Sequence, residues 1–204
     1  TLYPMPACVR DREGPLLETL AVALHTVELA GDVYGKSAAI LGAGPVGLLT
    51  LLELRRCGAR VVLMTDPIPY RRELAESLNA EETADPGDTE TIKRCREKLD
   101  GLGPEIVIEA AGEPESFQQA MQIVRRGGLI VYCGIYALGS MPIDFTDARR
   151  KELRMVFVRR SMPHNCEKAL ELVEGGVFDL SPFAERVYSL DDIAEAFRDA
   201  EARI

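Results

Sequence analysis

The 204-residue chain is 47% hydrophobic and 28% charged, enough apolar content for one substantial core. Its net charge of −9 argues against general nucleic-acid binding, which needs a basic face opposite phosphate. No apolar run is long enough to span a bilayer, and the five cysteines lack the C-x-x-C spacing of a zinc ribbon and are odd in number, so reduced thiols in a cytoplasmic protein are the expectation.

Residues 1–14 are proline-rich and aperiodic, and read as an extended lead-in. Residues 15–29 show helical apolar spacing. Strands follow at 37–41, 60–64, 105–109, 129–133 and 154–158, with a weaker one near 82–84. Helical stretches lie between and after them at 45–57, 69–78, 89–100, 114–125 and 163–175. A last helix over about 190–200 carries Ser189 and Asp192 at capping-box spacing. The strands are near-continuous apolar runs, as suits strands covered on both faces. Alternating strand and helix at this spacing predicts an α/β fold, a doubly wound parallel sheet of Rossmann type with helices on both faces.

At the first strand's end the chain reads "LGAGPVGLL". Gly42 allows a tight turn, Gly44 lets a pyrophosphate approach the main chain, and Gly47 lets the next helix pack on the strand. Pro45 lacks an N–H that the first helical turn could not satisfy, and Val46 follows it in that turn. The free amides and the positive helix end then face an anion. Asp66 ends the second strand, 19 residues after Gly47, where an acid accepts hydrogen bonds from a ribose hydroxyl. A carboxylate there favours NAD(H) over NADP(H). Arg71 and Arg72 pull the other way if either swings under the ribose.

Two later strand exits matter by position, because ligands of such sheets bind beyond the carboxyl ends of the strands. Ala110, Ala111 and Gly112 are small enough for a cofactor to lie across them. Gly134 and Ile135 offer main-chain groups to a nicotinamide carboxamide. No catalytic set is visible. His25 lies within a helix, where packing or capping suits it better than catalysis, and His164 sits in a loop or helix start. Cys133 reads as core rather than nucleophile.

Together "GPLLETLAVALHTVELAG", "GKSAAILGAGPVGLL", "VVLMTD", "IVIEAAGEPESFQQAMQIVRRGGLIVYCG", "EKALELVEGGVFDL" and "YSLDDIAEAFRDAEA" resemble, in order, the cofactor domain of the medium-chain dehydrogenase/reductase family, in its zinc-dependent alcohol, polyol and threonine dehydrogenase branch. The resemblance covers nearly the whole chain. It implies hydride transfer between NAD and a secondary alcohol or polyol, zinc as a further cofactor, and a homodimer or homotetramer. The sheet edge near "RMVFV" and "ERVYS" is then the surface for a second subunit. It also implies a GroES-like catalytic domain outside this chain. On that expectation residues 1–30 are a lead-in and linking helix, 31–204 form the dinucleotide-binding domain, and the chain alone is inactive. In that branch a helix carries "G-A-x-x-E-P-L", whose glutamate lies at or near the catalytic zinc. "GPLLETL" places Glu18 there, with Thr19 for the usual proline. Two rivals stay open: a zinc-free quinone or enoyl reductase of the same superfamily, and a stand-alone NAD(H)-sensing module without turnover.

Overall fold

The computed structural model describes residues 2–88, 90–137, 139–184 and 186–202. In chain order its elements are α1 (Leu16–Ala30), β1 (Ser37–Leu41), α2 (Pro45–Arg56), β2 (Arg60–Thr65), α3 (Pro69–Ser77), β3 (Thr83–Ala84), α4 (Thr91–Glu97), β4 (Ile106–Glu109), α5 (Pro114–Ile123), β5 (Leu129–Tyr132), α6 (Phe145–Arg150), β6 (Arg154–Phe157), α7 (Pro163–Glu174) and α8 (Ile193–Ala202). The six strands pair in parallel in the order β3-β2-β1-β4-β5-β6. This is the expected doubly wound sheet, and its strand order reverses between β1 and β4.

The strands lack polar alternation because each face meets helices. On one face Ala38, Ile40, Ile106, Ile108 and Val131 pack with Leu51 and Leu54 of α2 and Ala75 of α3. On the other, Ala39, Leu41, Val107 and Ile130 pack with Cys95 of α4 and with Phe117 and Met121 of α5. Val62 and Leu63 are consecutive yet share that second face, since an irregularity shifts the β1–β2 register between Ala38 and Ala39. Leu20, Ala21, Ala23 and Leu24 of α1 join Leu49 of α2 and Ala169 and Leu172 of α7 in a third cluster. A fully buried leucine such as Leu20 or Leu49 stabilises the fold by about 1.5–3 kcal/mol relative to exposure.

Local structure departs from expectation in several places. The second half of the lead-in turns rather than running extended: Val9 N donates to Pro6 O, and Glu13 N to Arg10 O. Val9 is buried there, and the Glu13 carboxylate is held by Arg10. Helix α4 is shorter than the expected 89–100, of which Thr89 lies outside the described residues. Asp100 and Gly101, at φ 54° and 81°, turn the chain away after it. Helix α6 was not expected; Asp144 caps it by accepting from Asp147 N at 2.9 Å. Ser189 and Asp192 do meet, but the serine hydroxyl donates to the Asp192 carboxylate at 2.6 Å and caps no amide; a 3-10 turn then precedes α8. Strand β6 is an edge of the sheet. In "ERVYS" Glu185 lies outside the described residues, and 186–189 form no strand.

One contact between α1 and α7 makes stability depend on acid. Glu28 accepts from Asn165 Nδ2 at 2.8 Å and lies 3.0 Å from His164 Nε2 and 3.3 Å from His25 Nδ1. The Asn165 hydrogen bond first, then His164, hold its carboxyl down to about 2. A carboxyl more acidic folded than unfolded contributes stability above its unfolded value, about 4.3, and loses it as pH falls toward the folded value. Glu28→Gln is therefore expected to flatten the fall in melting temperature between about pH 4.3 and 2. An acid limb as steep as that of the unaltered protein would refute this.

Candidate functional site

The sheet's carboxyl edge at the β1/β4 crossover is built by close backbone contacts. Gly42 has φ +106°, and a Cβ there would lie 2.8 Å from Ala110 C and Ala111 N. A side chain at Gly42 would therefore push the β1 and β4 exits apart. Gly47, in the first turn of α2, is tighter still: a Cβ would lie 2.0 Å from Gly42 O. Around Gly44 a Cβ would meet nothing within 4 Å. Gly44 is the N-cap of α2 and provides no side-chain cap, and Pro45 opens the helix without an N–H. The first-turn amides of Val46 and Gly47 have no carbonyl a turn earlier to accept from them. Open space, bare backbone and unpaired amides thus coincide at a positive helix end, a geometry suited to an anion.

Asp66 follows β2 and is buried, 4% exposed. Its Oδ2 accepts from Ala43 N inside the glycine turn and its Oδ1 from Ile68 N, each at 2.9 Å. Two of an ionised carboxylate's acceptor positions are thus occupied, with others left for a hydroxyl. Arg71 Nη1 lies 3.8 Å from Asp66 Oδ2, and its guanidinium sits 5.8 Å from the Tyr70 ring centre. Arg72 Nη1 donates to the Asp66 main-chain O at 2.6 Å and lies 3.7 Å from Asp85 Oδ2. A cleft of about 610 Å³ lies between the β3–α4 loop and α5, lined by Pro86, Asp88, Ile92, Pro114 and Gln119 among others. A second concavity, of about 530 Å³, lies at the opposite edge, against Val33, Tyr34 and Cys57.

The other half of the site is the pair of exits after β4 and β5. Gly112, at φ +73°, and Gly134 are small because they face each other: a Cβ on Gly112 would lie 2.6 Å from Ile135 O, and one on Gly134 2.4 Å from Gly112 N. Gly134 N already donates to Glu109 O at 3.0 Å, while Ile135 is 94% exposed. Ala111 N and Gly112 N turn inward and donate to Glu109 Oε1. Glu109 is fully buried and also accepts from the Tyr136 hydroxyl, a pair that sequence reasoning did not single out. The available signal was an acid closing an otherwise apolar strand. Cys133 donates its thiol to Glu109 O, and burial foremost pushes that thiol up to about 12, as befits a packing group.

Glu18 lies in the first turn of α1, exposed, with no hydrogen bond or ion pair among the described residues. No group of three or more His, Cys, Asp or Glu among them could hold a metal. One exposed carboxylate without further donors does not make a zinc site. All five cysteines are free. No helix among the described residues is long and apolar enough to cross a membrane.

A doubly wound parallel sheet with a glycine turn and a strand-end acid at its crossover defines a dinucleotide-binding class of domain. The family model described as zinc-binding dehydrogenase matches residues 45–175, and the chain belongs to that family, as a cofactor-binding domain of the medium-chain dehydrogenase/reductase type. It is 34% identical to 2-dehydro-3-deoxy-L-galactonate 5-dehydrogenase of Pseudoalteromonas atlantica over 197 residues, covering 97% of this chain and 57% of that protein. It is 30% identical to L-threonine 3-dehydrogenase of Pyrococcus horikoshii, covering 96% and 57%. Among solved structures it resembles L-idonate 5-dehydrogenase of Escherichia coli, at 25% identity and a TM-score of 0.81, covering 98% of this chain and 56% of that one. The chain thus spans a little over half the length of the curated relatives it matches.

Proposed function

We propose that this chain is the NAD(H)-binding part of a dehydrogenase that moves hydride between nicotinamide and a secondary alcohol or polyol-like substrate. The observation that carries the reading is the open space at Gly44, the N-cap of α2, in a glycine turn whose Ala43 N is held by the buried Asp66 carboxylate. Gly42, Gly44, Pro45, Val46 and Gly47 form the pyrophosphate seat. Asp66 takes the adenosine ribose, with Arg71 beside it. Ala110, Ala111, Gly112, Gly134 and Ile135 border the nicotinamide half. When bound, the nicotinamide supplies the hydride-accepting or hydride-donating carbon. The protein's part is to hold the pyrophosphate by main-chain amides and to fix the ring's face against the strand exits.

Relatives named as dehydrogenases of a deoxy sugar acid, of threonine and of idonate support an alcohol-bearing small molecule as the substrate class. Among the described residues no group of three or more His, Cys, Asp or Glu stands ready for a metal. If Glu18 belongs to a zinc site, its companions come from elsewhere, and Glu18→Ala is expected to lower the zinc content of the purified enzyme. Unchanged zinc content would remove Glu18 from the metal. Assembly through the β6 edge is part of the same reading, supported by its unpaired strand side and by Phe157, 64% exposed.

Calorimetric titration with NAD+ and NADP+ tests the cofactor reading. Selective NAD+ binding is the expected result. Preference for NADP+ would mean that Arg71 and Arg72 outweigh Asp66, and would favour the reductase reading. Binding of neither would sink the dinucleotide assignment.

A further inference from the structure

Glu109 is a charged residue that closes β4 and is fully buried. A buried ionised carboxylate is costly unless donors surround it. Four do. Ala111 N and Gly112 N donate to Oε1 at 2.9 Å each, Ser116 Oγ donates to Oε1 at 2.6 Å, and the Tyr136 hydroxyl donates to Oε2. The same residue's main-chain oxygen accepts from Cys133 N and Gly134 N at 2.8 and 3.0 Å. One residue therefore joins three segments: the β4 exit, the first turn of α5 and the β5 exit. Space is closed around it, since a Cβ on Gly134 would lie 2.5 Å from Glu109 Oε2. Tyr136 is itself held, its ring edge-on to Phe117 at 5.8 Å between centres. Burial first, then the bond to Glu109, push its phenol well above the ordinary value, so the hydroxyl stays a donor.

We propose that Glu109 is a positioning residue, which through Tyr136 and the Ala111–Gly112 amides locks the two strand exits into one shelf for the nicotinamide end of the dinucleotide. This rests on the dinucleotide reading above and adds a division of labour to it. Asp66 pins the glycine turn on one side of the crossover; Glu109 pins the ring shelf on the other. The site needs a carboxylate there because all four partners donate. A glutamine can keep three of them on its carbonyl oxygen, but its amide then meets the Tyr136 hydroxyl and leaves the phenolic proton without its acceptor. Hydrogen bonds to an ionised acceptor are roughly twice as strong as neutral ones, so the loss should be measurable.

The test compares NADH with ADP-ribose, which has the pyrophosphate and adenosine but no nicotinamide. Affinities are measured for the unaltered protein, Glu109→Gln, Tyr136→Phe and the double variant. NADH is expected to bind about tenfold more weakly to each single variant, the scale of one charge-assisted hydrogen bond, with ADP-ribose within about twofold. The double variant should be no worse than the weaker single, because both remove one contact. Equal losses for the two ligands would mark general damage to the fold and overturn the proposal. Unchanged NADH binding, or additive losses in the double variant, would overturn it too. If the unaltered protein binds neither ligand, the dinucleotide reading itself has failed. Should Glu109→Gln not fold, Tyr136→Phe carries the comparison alone, since it keeps the ring against Phe117.

Discussion

Gly47→Ala is expected to destabilise the fold by about 3 kcal/mol or more, lowering the melting temperature by about 6–12 °C for a chain of this size. The added methyl would sit 2.0 Å from Gly42 O, 3.1 Å from Gly42 C and 3.2 Å from Met64 Cε. The methionine tip can swing aside, but the two Gly42 atoms are backbone and cannot. Relief requires α2 to retreat from β1. That would uncover Leu48, Leu51 and Leu54, all buried beneath it. Gly44→Ala is the control. Gly44 has φ −73°, which any residue adopts, and its Cβ would meet nothing. Its expected cost is about 1 kcal/mol or less, that of alanine at an N-cap. Its expected effect is instead on binding, because the methyl enters the space assigned to pyrophosphate. Gly47→Ala melting together with the unaltered protein would mean that the helix does not approach the strand this closely.

The glycine turn was legible because its meaning is local: three glycines at fixed spacing between an apolar strand and an apolar helix admit few backbone paths. The buried strands were legible for a similar reason, since an apolar run such as Ala38–Leu41 has nowhere to go but between two helical layers. Glu109 was not. In sequence it resembles any acid at the end of a strand. Its burial depends on Ser116 in the next helix and on Tyr136, reached only after another strand. Gly112 reads in sequence as room for a cofactor and Gly134 as a main-chain contact to the carboxamide, each taken alone. Their contact across two loops shows that each also makes room for the other. Helix α6 escaped because six residues carry too little periodicity, and its one local signal, Asp144 ahead of Asp147, is common in turns.

Asp66→Ala is expected to lower NAD+ affinity by about 10- to 100-fold, but that result alone would not show ribose recognition, because a buried partner left unpaired has its own cost of about 1–3 kcal/mol. Asp66 accepts from Ala43 N inside the glycine turn, so its removal also loosens the pyrophosphate seat. The two contributions separate by comparing cofactors. Loosening the turn harms NAD+ and NADP+ alike, since both carry the same pyrophosphate. Losing a carboxylate at the ribose harms NAD+ alone, and relieves the repulsion of a 2′-phosphate. Asp66→Asn is the sharper variant, as its one acceptor oxygen can stay on Ala43 N in the glycine turn, leaving only Ile68 N without its acceptor while the charge is removed. Its NAD+ affinity should fall and its NADP+ affinity should hold or rise. Arg71→Ala should shift the ratio the opposite way, because Arg71 lies 3.8 Å from Asp66 Oδ2 and is the cation placed to meet an added phosphate. Equal losses for both cofactors in Asp66→Asn would assign Asp66 to the turn alone and remove the ribose contact from this reading.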